Sequence, residues 1–332
     1  MDIPQVMMDP STYDEPVSSV KLMQTHISWV FLTGRYAYKV KKPVNFGFLD
    51  YTTLDRRRHF CEQEVVLNRR LAGDMYIGVL PLTRSGDRVQ VDGKGDVVEY
   101  LVKMRELPQE ALMSNLLAER KVDVDTIDRI ANILAGFHRK AATGGEVDRG
   151  GSMETIRFNW SENFDQTKPF VETAISKHAF DSIMSRVNSF LTENEDLMNR
   201  RVSDGRIRDC HGDVHSRSIF ITDRIYIFDC IEFNDRFRYS DVTADIAFLS
   251  MDLDHHGRAD LSKHFVRAYL TYSSDEGIND LLPFYECYRA FVRGKVACLG
   301  TTGSGMREEE KRSLLESARE YFDLSFTYAE QL

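Results

Sequence analysis

Short runs of alternating apolar and polar residues dominate the first hundred positions of the chain. HISWVFLT and YAYKVKK, joined by a turn-like Gly-Arg pair, have the period-2 pattern of an antiparallel β-hairpin. Three further runs, IGVLPLT, DRVQVDG and VVEYLVKM, predict more strands. Between these two sets, TTLDRRRHFCEQEVVLNRRLA begins with a capping Thr and Asp and repeats apolar residues at roughly helical spacing. We therefore predict a β-rich region that contains one helix.

The pattern changes to a helical one from about Arg105 onward. TIDRIANILAGFHRKA and FDSIMSRVNSFLTENEDLMNRR have the apolar spacing of long amphipathic helices, and the strand-like pair IFITD and RIYIFD interrupts this half. The polar stretch TGGEVDRGG is interpreted as a flexible connector. These patterns predict an α+β protein with a β-rich lobe at residues 1–104, a hinge around Met104 to Leu107, a helical lobe at residues 105–332, and a cleft between the lobes.

The composition argues against several classes of protein. The 332 residues carry a formal net charge of −9, which is unlike a general nucleic-acid surface. No apolar run approaches the about 18 residues of a membrane span, and the start MDIPQVMMDP lacks the regions of a secretory signal. The five cysteines are scattered without a CxxC pair, which favours reduced thiols in a cytoplasmic protein. We expect no nucleic-acid and no membrane partner, and the oligomeric state stays open.

Phosphoryl-transfer chemistry is suggested by the stretch CHGDVHSRS at residues 210–218. A kinase catalytic loop has His, any residue and Asp, with an Asn five residues after the Asp. His211 and Asp213 fit this pattern, and Ser218 occupies the position of the Asn. The strand pair that follows returns the chain to Asp229, as a metal-binding Asp requires. Glu232, three residues later, is a candidate auxiliary or substitute ligand.

A lysine for the nucleotide phosphates is expected on the second strand of the predicted hairpin. Ala37 and Lys39 lie two residues apart, so they share one face of that strand. Lys41 shares the same face and is the competing candidate. Such a lysine needs a carboxylate on the following helix to hold it, and Glu64 is the first choice with Glu62 as the second.

With these residues in view, the sequence resembles the aminoglycoside phosphotransferase-like branch of the protein-kinase-like fold. It is most similar to the bacterial family in which such a domain is often fused ahead of a P-loop ATP-binding domain. The resemblance covers most of the chain and is carried by THISWVFLTGRYAYKVKKPVNFGFLDYTTLDRRRHFCEQE, LAGFHRKA, HGDVHSRSI, FDCIEFND and DVTADIAFLSMDLD. It implies a bilobal kinase-like fold and a phosphotransferase that uses Mg²⁺ and ATP or GTP to phosphorylate a hydroxyl group of a small molecule.

The resemblance also implies roles for individual residues. Asp213, in the loop that begins with His211, would be the catalytic base. Asp229 would be the principal metal ligand and Ser218 the second one. Lys39 with its carboxylate partner would anchor the phosphates of the nucleotide.

Further implied residues complete the nucleotide site and the catalytic loop. The QTHIS segment, with Thr25, His26 and Ser28, would form the turn over the phosphates. Ala37, with the spacing noted above, would pack on the adenine, and Met104 lies in the expected hinge. A buried Asp that organises the backbone of the catalytic loop is implied at position 245.

Two departures from the family pattern leave an alternative open. A Ser hydroxyl is shorter than an Asn side chain and lacks its amide carbonyl, so Ser218 favours a second hypothesis: a degenerate kinase-like module that binds nucleotide with little transfer. The stretch GTTGSGM lacks the Lys of a P-loop. A protein kinase is the weaker third hypothesis because nothing resembles an activation segment that ends in APE.

Other polar clusters have ordinary structural interpretations. His215 is interpreted as a loop-structuring residue, and DLDHH at residues 252–256 as a solvated helix end rather than a metal cluster. Cys210 and Cys230 flank the candidate site and are interpreted as buried, inert thiols. The sequence does not identify the acceptor.

Overall fold

The structure is a computed structural model, which describes residues 1–302 and 306–332. Residues 303–305, in the centre of the GTTGSGM stretch, lie outside the described residues. The strands are β1 Lys21–Gln24, β2 Ser28–Leu32, β3 Tyr36–Lys41, β4 Tyr76–Ser85, β5 Arg88–Val91, β6 Asp96–Arg105, β7 Ile207–Asp209, β8 Ile219–Ile221, β9 Ile225–Ile227 and β10 Tyr239–Asp241.

The α-helices of the described residues are of very different lengths. They are α1 Ile3–Met7, α2 Leu54–Asn68, α3 Met113–Ala118, α4 Val124–Lys140, α5 Met153–Thr167, α6 Lys177–Glu193, α7 Glu195–Ser203, α8 Asp235–Arg238, α9 Val242–His255, α10 Ala259–Ser273, α11 Ile278–Gly300 and α12 Glu308–Ala329. Within the described residues, none of these helices is long and apolar enough to cross a membrane. The α+β class predicted from the sequence is confirmed.

The chain forms two compact units, and each unit consists of two separate segments of the sequence. Unit 1 comprises Met1–Leu116 and Arg217–Asp235, and unit 2 comprises Leu117–Ser216 and Arg236–Leu332. The β8–β9 hairpin belongs to unit 1 because Phe220 and Tyr226 pack into the core of that unit. Sequence periodicity detects a change from strands to helices, but it cannot detect that a later hairpin returns to the first core. The lobe boundary at residue 104 stays a prediction.

Unit 1 is built on a six-stranded antiparallel sheet in the order β1-β2-β3-β6-β4-β5. The predicted hairpin is present as β2 and β3, with Ser28 paired to Lys41. Period-2 alternation divides β3 between two cores: Tyr38 and Val40 pack into one, and Ala37 packs into the other. This second core also contains apolar residues of α2, so the helix covers the face of the sheet that carries Lys39 and Lys41.

Unit 2 is mostly helical, with a core of aromatic and aliphatic side chains from α5, α6, α9, α11 and α12. The stretch TGGEVDRGG is not a free connector, as the sequence suggested. Its second half forms a 3₁₀ helix at Val147–Gly151, where a Cβ on Gly150 would lie 2.0 Å from the carbonyl oxygen of Tyr239. Gly150 therefore serves close packing against β10 rather than flexibility, and composition alone does not distinguish these two uses.

Candidate active site

Two lysines of β3 share one buried carboxylate. Lys39 Nζ lies 2.8 Å from Glu64 Oε1, and Lys41 Nζ lies 2.7 Å from Glu64 Oε2. The partner expected for Lys39 is therefore present, and the competing lysine binds the same residue. Burial distinguishes them, because the Lys39 side chain is 12% exposed and the Lys41 side chain is 1% exposed. Glu62, the second choice of carboxylate, pairs with Arg58 at the exposed surface of α2.

Asp229 follows β9 and contacts Lys39, the less buried of the two lysines. Its Oδ1 lies 2.6 Å from Lys39 Nζ, and half of its side chain is exposed. Its φ of 63° is in the left-handed region, which is strained for a residue with a Cβ. The turn is held by two hydrogen bonds of its backbone: the N–H of Asp229 donates to the hydroxyl of Tyr76 at 3.3 Å, and the N–H of Cys230 donates to Asn68 Oδ1 at 2.9 Å. Such strain, stabilised by its surroundings, is common at functional sites.

Glu232 is engaged by protein groups rather than left as a spare ligand. It forms a short ion pair with Lys41 and accepts a hydrogen bond of 2.6 Å from the hydroxyl of Tyr51. All three side chains are buried. Glu232 therefore does not present its carboxylate to solvent, as an auxiliary metal ligand would.

The charges of this network stabilise one another. Burial by itself raises the pKa of Glu64, but Lys39 and Lys41 outweigh it and hold that pKa well below its usual range. Burial likewise lowers the pKa of Lys39, and the neighbouring Asp229 and Glu64 more than compensate and raise it. Glu64 and the two lysines therefore favour one another's charged forms.

The residues proposed for the nucleotide base lie next to each other in the sheet. Ala37 on β3 is the register partner of Met104 on β6, and both belong to the core that α2 covers. A small residue beside a flexible thioether is an adaptable apolar surface. Their contact with a base stays a prediction.

The segment proposed to cover the phosphates is a tight turn between β1 and β2. The N–H of Thr25 donates to the carbonyl oxygen of Ser28 at 2.9 Å, and the hydroxyl of Thr25 accepts from the N–H of Ser28 at 3.1 Å. His26 lies exposed at the tip. Ser28 is buried, and its hydroxyl has no hydrogen-bond partner among the described residues.

In unit 2, the loop after β7 is held by a carboxylate of α9. Asp245 accepts hydrogen bonds from the N–H groups of His211 and Gly212, at 2.7 and 2.8 Å. Its Oδ2 also lies 3.2 Å from His138 Nε2. Gly212 has a φ of 87°, so the sharp turn of the loop uses a residue without a Cβ. Asp245 thus has the contacts that the family resemblance implied.

Asp213 lies in the same loop beside a histidine. Its Oδ2 is 3.4 Å from His215 Nε2, and its N–H donates to His211 Nδ1 at 3.3 Å. Burial raises the pKa of the Asp213 carboxyl, but His215, Arg293 and His211 outweigh it and lower that pKa to about 2. Asp213 is therefore a carboxylate at neutral pH. His215 orients it, in agreement with the structural interpretation of that histidine.

The sequence of the chain is similar to those of known proteins. Residues 83–281 match the model of the phosphotransferase enzyme family. The chain belongs to the phosphotransferase enzyme family. Uncharacterised proteins of Mycobacterium bovis and Mycobacterium tuberculosis are 34% identical to it over 287 residues, which are 86% of this chain and 56% of each relative. The chain thus spans about half the length of these curated relatives. Its resemblance to a family that is often fused to a P-loop domain stays a prediction.

Solved structures show the same fold at low sequence identity. A choline/ethanolamine kinase family protein from Mesorhizobium loti has a TM-score of 0.52 at 11% identity, with 99% of this chain and 98% of that chain covered. Spectinomycin phosphotransferase in complex with ADP and spectinomycin has a TM-score of 0.51 at 11% identity and the same coverage. The predicted kinase-like fold is confirmed by these similarities.

One contact of the loop that contains Asp213 was missed by sequence reasoning. Asp252 is not part of a solvated helix end: it is buried, and its Oδ2 accepts a hydrogen bond of 2.8 Å from the N–H of Ser216. His256 Nε2 lies 3.2 Å from the hydroxyl of the same serine. Asp252 lies seven residues after Asp245, so both carboxylates project from one face of α9 toward the loop. The seven-residue spacing could have predicted that Asp252 faces the loop as Asp245 does. The two histidines of DLDHH favoured the interpretation as a solvated helix end instead.

Cys210 and Cys230, the two thiols near the candidate site, are buried. Burial and the nearby carboxylate of Asp245 raise the pKa of the Cys210 thiol, so the reactive thiolate does not form at neutral pH. This agrees with the interpretation of Cys210 as an inert thiol.

We predict that Asp252→Ala loosens the loop while the fold persists. The N–H of Ser216 would lose its acceptor, at a cost of about 1–3 kcal/mol. Loss of this free energy makes opening of the loop more frequent. Amide hydrogen exchange of peptides that cover residues 210–216 should therefore increase at least several-fold. Asp254→Ala is the matched control, because Asp254 lies on the same helix and bonds Tyr328 instead of the loop. Equal exchange in both variants would show that Asp252 does not hold the loop.

Proposed function

We propose that the chain is a Mg²⁺- and nucleotide-dependent phosphotransferase that transfers the terminal phosphate of ATP or GTP to a hydroxyl group of a small molecule. Membership of the phosphotransferase enzyme family supports this reaction class. The observation that carries the proposal is the contact of Lys39 with both Glu64 and Asp229. It joins a lysine suited to phosphate oxygens, the carboxylate that fixes it, and a half-exposed carboxylate suited to a metal ion.

Lys39 would act as a fixed positive charge for the nucleotide phosphates. Glu64 is buried in the core of unit 1, so its carboxylate holds the ammonium group of Lys39 in a fixed position. The partial exposure of Lys39 leaves it accessible, whereas Lys41 is enclosed. Ala37 and Met104 would contact the base, and Thr25, His26 and Ser28 would line the phosphates in this proposal.

The residues of unit 1 fit a Mg²⁺ ion at Asp229. Magnesium prefers carboxylate oxygens and retains several waters, so one accessible carboxylate beside bound phosphates is a suitable anchor. Asp229 meets this requirement because half of its side chain is exposed. Ser218 is buried, so an ion could reach its hydroxyl only after a local movement. When bound, the ion would neutralise charge on the phosphates.

Asp213 would orient the acceptor and receive its proton. In this step the acceptor oxygen forms a bond to the transferred phosphorus, the bond from that phosphorus to the nucleotide breaks, and the hydroxyl proton moves to the carboxylate of Asp213. The low pKa of Asp213 makes it a weak base, so orientation of the hydroxyl is its larger contribution. The backbone contacts of Asp245 and Asp252 keep the loop in place.

For the acceptor, we propose only a class of compound. Spectinomycin phosphotransferase, which has the same fold, was solved with ADP and spectinomycin, so hydroxyl-bearing small molecules such as sugars, aminoglycosides and amino alcohols are the compounds to test. A cytoplasmic location is supported by the five cysteines, all of them buried and free of disulfide bonds.

We predict that Asp213→Asn and Asp229→Asn have different effects. Asp213→Asn should lower turnover by about 10²-fold or more and leave nucleotide binding within about twofold, since it removes a general-base and orienting group. Asp229→Asn should also weaken Mg²⁺-nucleotide binding, because the charge opposite the metal is lost. The measurement is Mg²⁺-dependent nucleotide turnover with the acceptor panel, together with calorimetric nucleotide affinity. Asp223→Asn, an exposed change in the β8–β9 turn, is the control. Undiminished activity of Asp213→Asn would contradict the catalytic assignment.

The alternative function is a degenerate module that binds nucleotide without efficient transfer, and Ser218 in place of Asn is the observation that favours it. Because its hydroxyl is buried, we predict that Ser218→Ala keeps the Mg²⁺ requirement of turnover within about twofold, well under the tenfold that corresponds to about 1.4 kcal/mol. A Mg²⁺ titration of turnover measures this. A tenfold rise would assign the hydroxyl to the metal after all, and nucleotide binding without transfer to any acceptor would favour the degenerate module.

A further inference from the structure

Lys41 is a buried cation to which the proposed reaction gives no role. Its side chain is 1% exposed, so it cannot contact a bound nucleotide as Lys39 can. A buried ion pair loses several kcal/mol of hydration free energy per ion, and well-packed apolar residues often replace such pairs without loss of stability. Stability alone therefore does not explain why a lysine occupies this position.

The contacts of Lys41 connect three parts of unit 1. Its ammonium group joins β3 to Glu64 of α2 and, through a short ion pair, to Glu232. Tyr51, in the loop before α2, donates to the same oxygen of Glu232 and lies under the ammonium group, with 4.9 Å between Nζ and the ring centre. Burial and Glu232 raise the pKa of the Tyr51 hydroxyl far above its ordinary value, so it remains a donor. Each group of this cluster thus has a defined partner.

Glu232 lies three residues after Asp229, on the segment with the strained turn. A left-handed Asp costs free energy unless neighbouring contacts fix the backbone on both sides. Tyr76 and Asn68 bond the backbone at the start of the turn, at Asp229 and Cys230. Lys41 and Tyr51 bond the side chain of Glu232 beyond it.

We propose that Lys41, Glu232 and Tyr51 form a latch that positions Asp229. The latch fastens the segment after β9 to the same carboxylate, Glu64, that holds Lys39. It thereby sets the geometry of the metal-binding carboxylate without touching metal or substrate, so its members are positioning residues. The consequence for turnover rests on the proposed function, whereas the effect on the segment itself does not.

The latch is tested with Lys41→Met, Glu232→Gln and the double variant, with Lys103→Met as the control. Lys103 lies on the same sheet and is about as exposed as Lys39, and it contacts Asp14, Tyr36 and Tyr38 instead of the latch. The first measurement is amide hydrogen exchange of a peptide that covers residues 228–234. The second is the Mg²⁺ concentration at half-maximal nucleotide turnover.

Lys41→Met should increase exchange of residues 228–234 and raise the Mg²⁺ requirement about tenfold, because it leaves Glu232 buried and unpaired. Glu232→Gln should have a smaller effect, since the amide can still meet Lys41 and Tyr51. The double variant should recover part of the loss in both measurements, because the unpaired charge is gone. Lys103→Met should change neither.

Two patterns would overturn the latch. Additive losses in the double variant, with Glu232→Gln alone as damaging as Lys41→Met, would make Glu232 a metal ligand. A lower melting temperature of Lys41→Met with unchanged exchange and Mg²⁺ requirement would reduce Lys41 to a stabilising residue. If Lys41→Met does not fold, Tyr51→Phe removes one hydrogen bond of the latch and should increase exchange of the segment to a smaller extent, and unchanged exchange would again contradict the proposal.

The two proposals fail separately. A wild-type protein without nucleotide turnover under any condition would contradict the proposed function. The exchange measurements would still decide whether the latch holds the Asp229 segment.

Discussion

Glu64 is the constraint on which unit 1 depends. It is fully buried in the second half of α2, where an unpaired carboxylate would be very unfavourable, and two lysines of β3 neutralise it. Because both lysines reach it from one strand face, the two ion pairs hold α2 in its position along β3. That position brings Asn68, one turn later on the helix, to the N–H of Cys230. The ion pairs and the Asp229 turn are therefore parts of one arrangement.

Unit 2 also contains buried helix carboxylates, and these are paired with backbone N–H groups instead of lysines. Two carboxylates on one face of α9, Asp245 and Asp252, accept hydrogen bonds from the N–H groups of the loop that contains Asp213. Their buried charge is compensated mainly by backbone donors and histidines, and the pKa of Asp245 is held below its ordinary range by His138 and His211 against the effect of burial. In unit 2 the helix carboxylates bond the loop directly, whereas in unit 1 Glu64 is connected to Asp229 through Lys39.

Periodicity and spacing were sufficient for the elements and for part of the site. The β2–β3 hairpin, the α2 helix and the contact of Lys39 with Glu64 follow from patterns of two and 3.6 residues. Those patterns place Lys41 on the same face as Lys39 but cannot show that both bind one carboxylate, because that depends on the depth of each side chain. Glu232 was a candidate auxiliary or substitute metal ligand because it lies three residues after Asp229, and its pairing with Lys41, 191 positions away in the sequence, could not be predicted from spacing.

The glycines near residue 150 and Asp252 illustrate the other limit. A glycine that allows close packing and a glycine that provides flexibility look the same in a sequence, and only the 2.0 Å approach to Tyr239 distinguishes them. Asp252 looked like part of a polar helix end because the DLDHH stretch that it begins ends in two histidines, although helical spacing relates it to Asp245. Tertiary contacts decide such cases.

The central claim is that Glu64 holds the lysine that binds nucleotide phosphates. Calorimetric titration of ATP in the presence of Mg²⁺, with the wild type, Glu64→Gln and Glu62→Gln, tests it most directly. Glu62 is the matched control because it lies on the exposed side of the same helix and pairs with Arg58. We predict that Glu64→Gln weakens binding at least about tenfold, which corresponds to about 1.4 kcal/mol, and that Glu62→Gln binds as the wild type does. Wild-type affinity in a folded Glu64→Gln variant, or a loss confined to Glu62→Gln, would contradict the account.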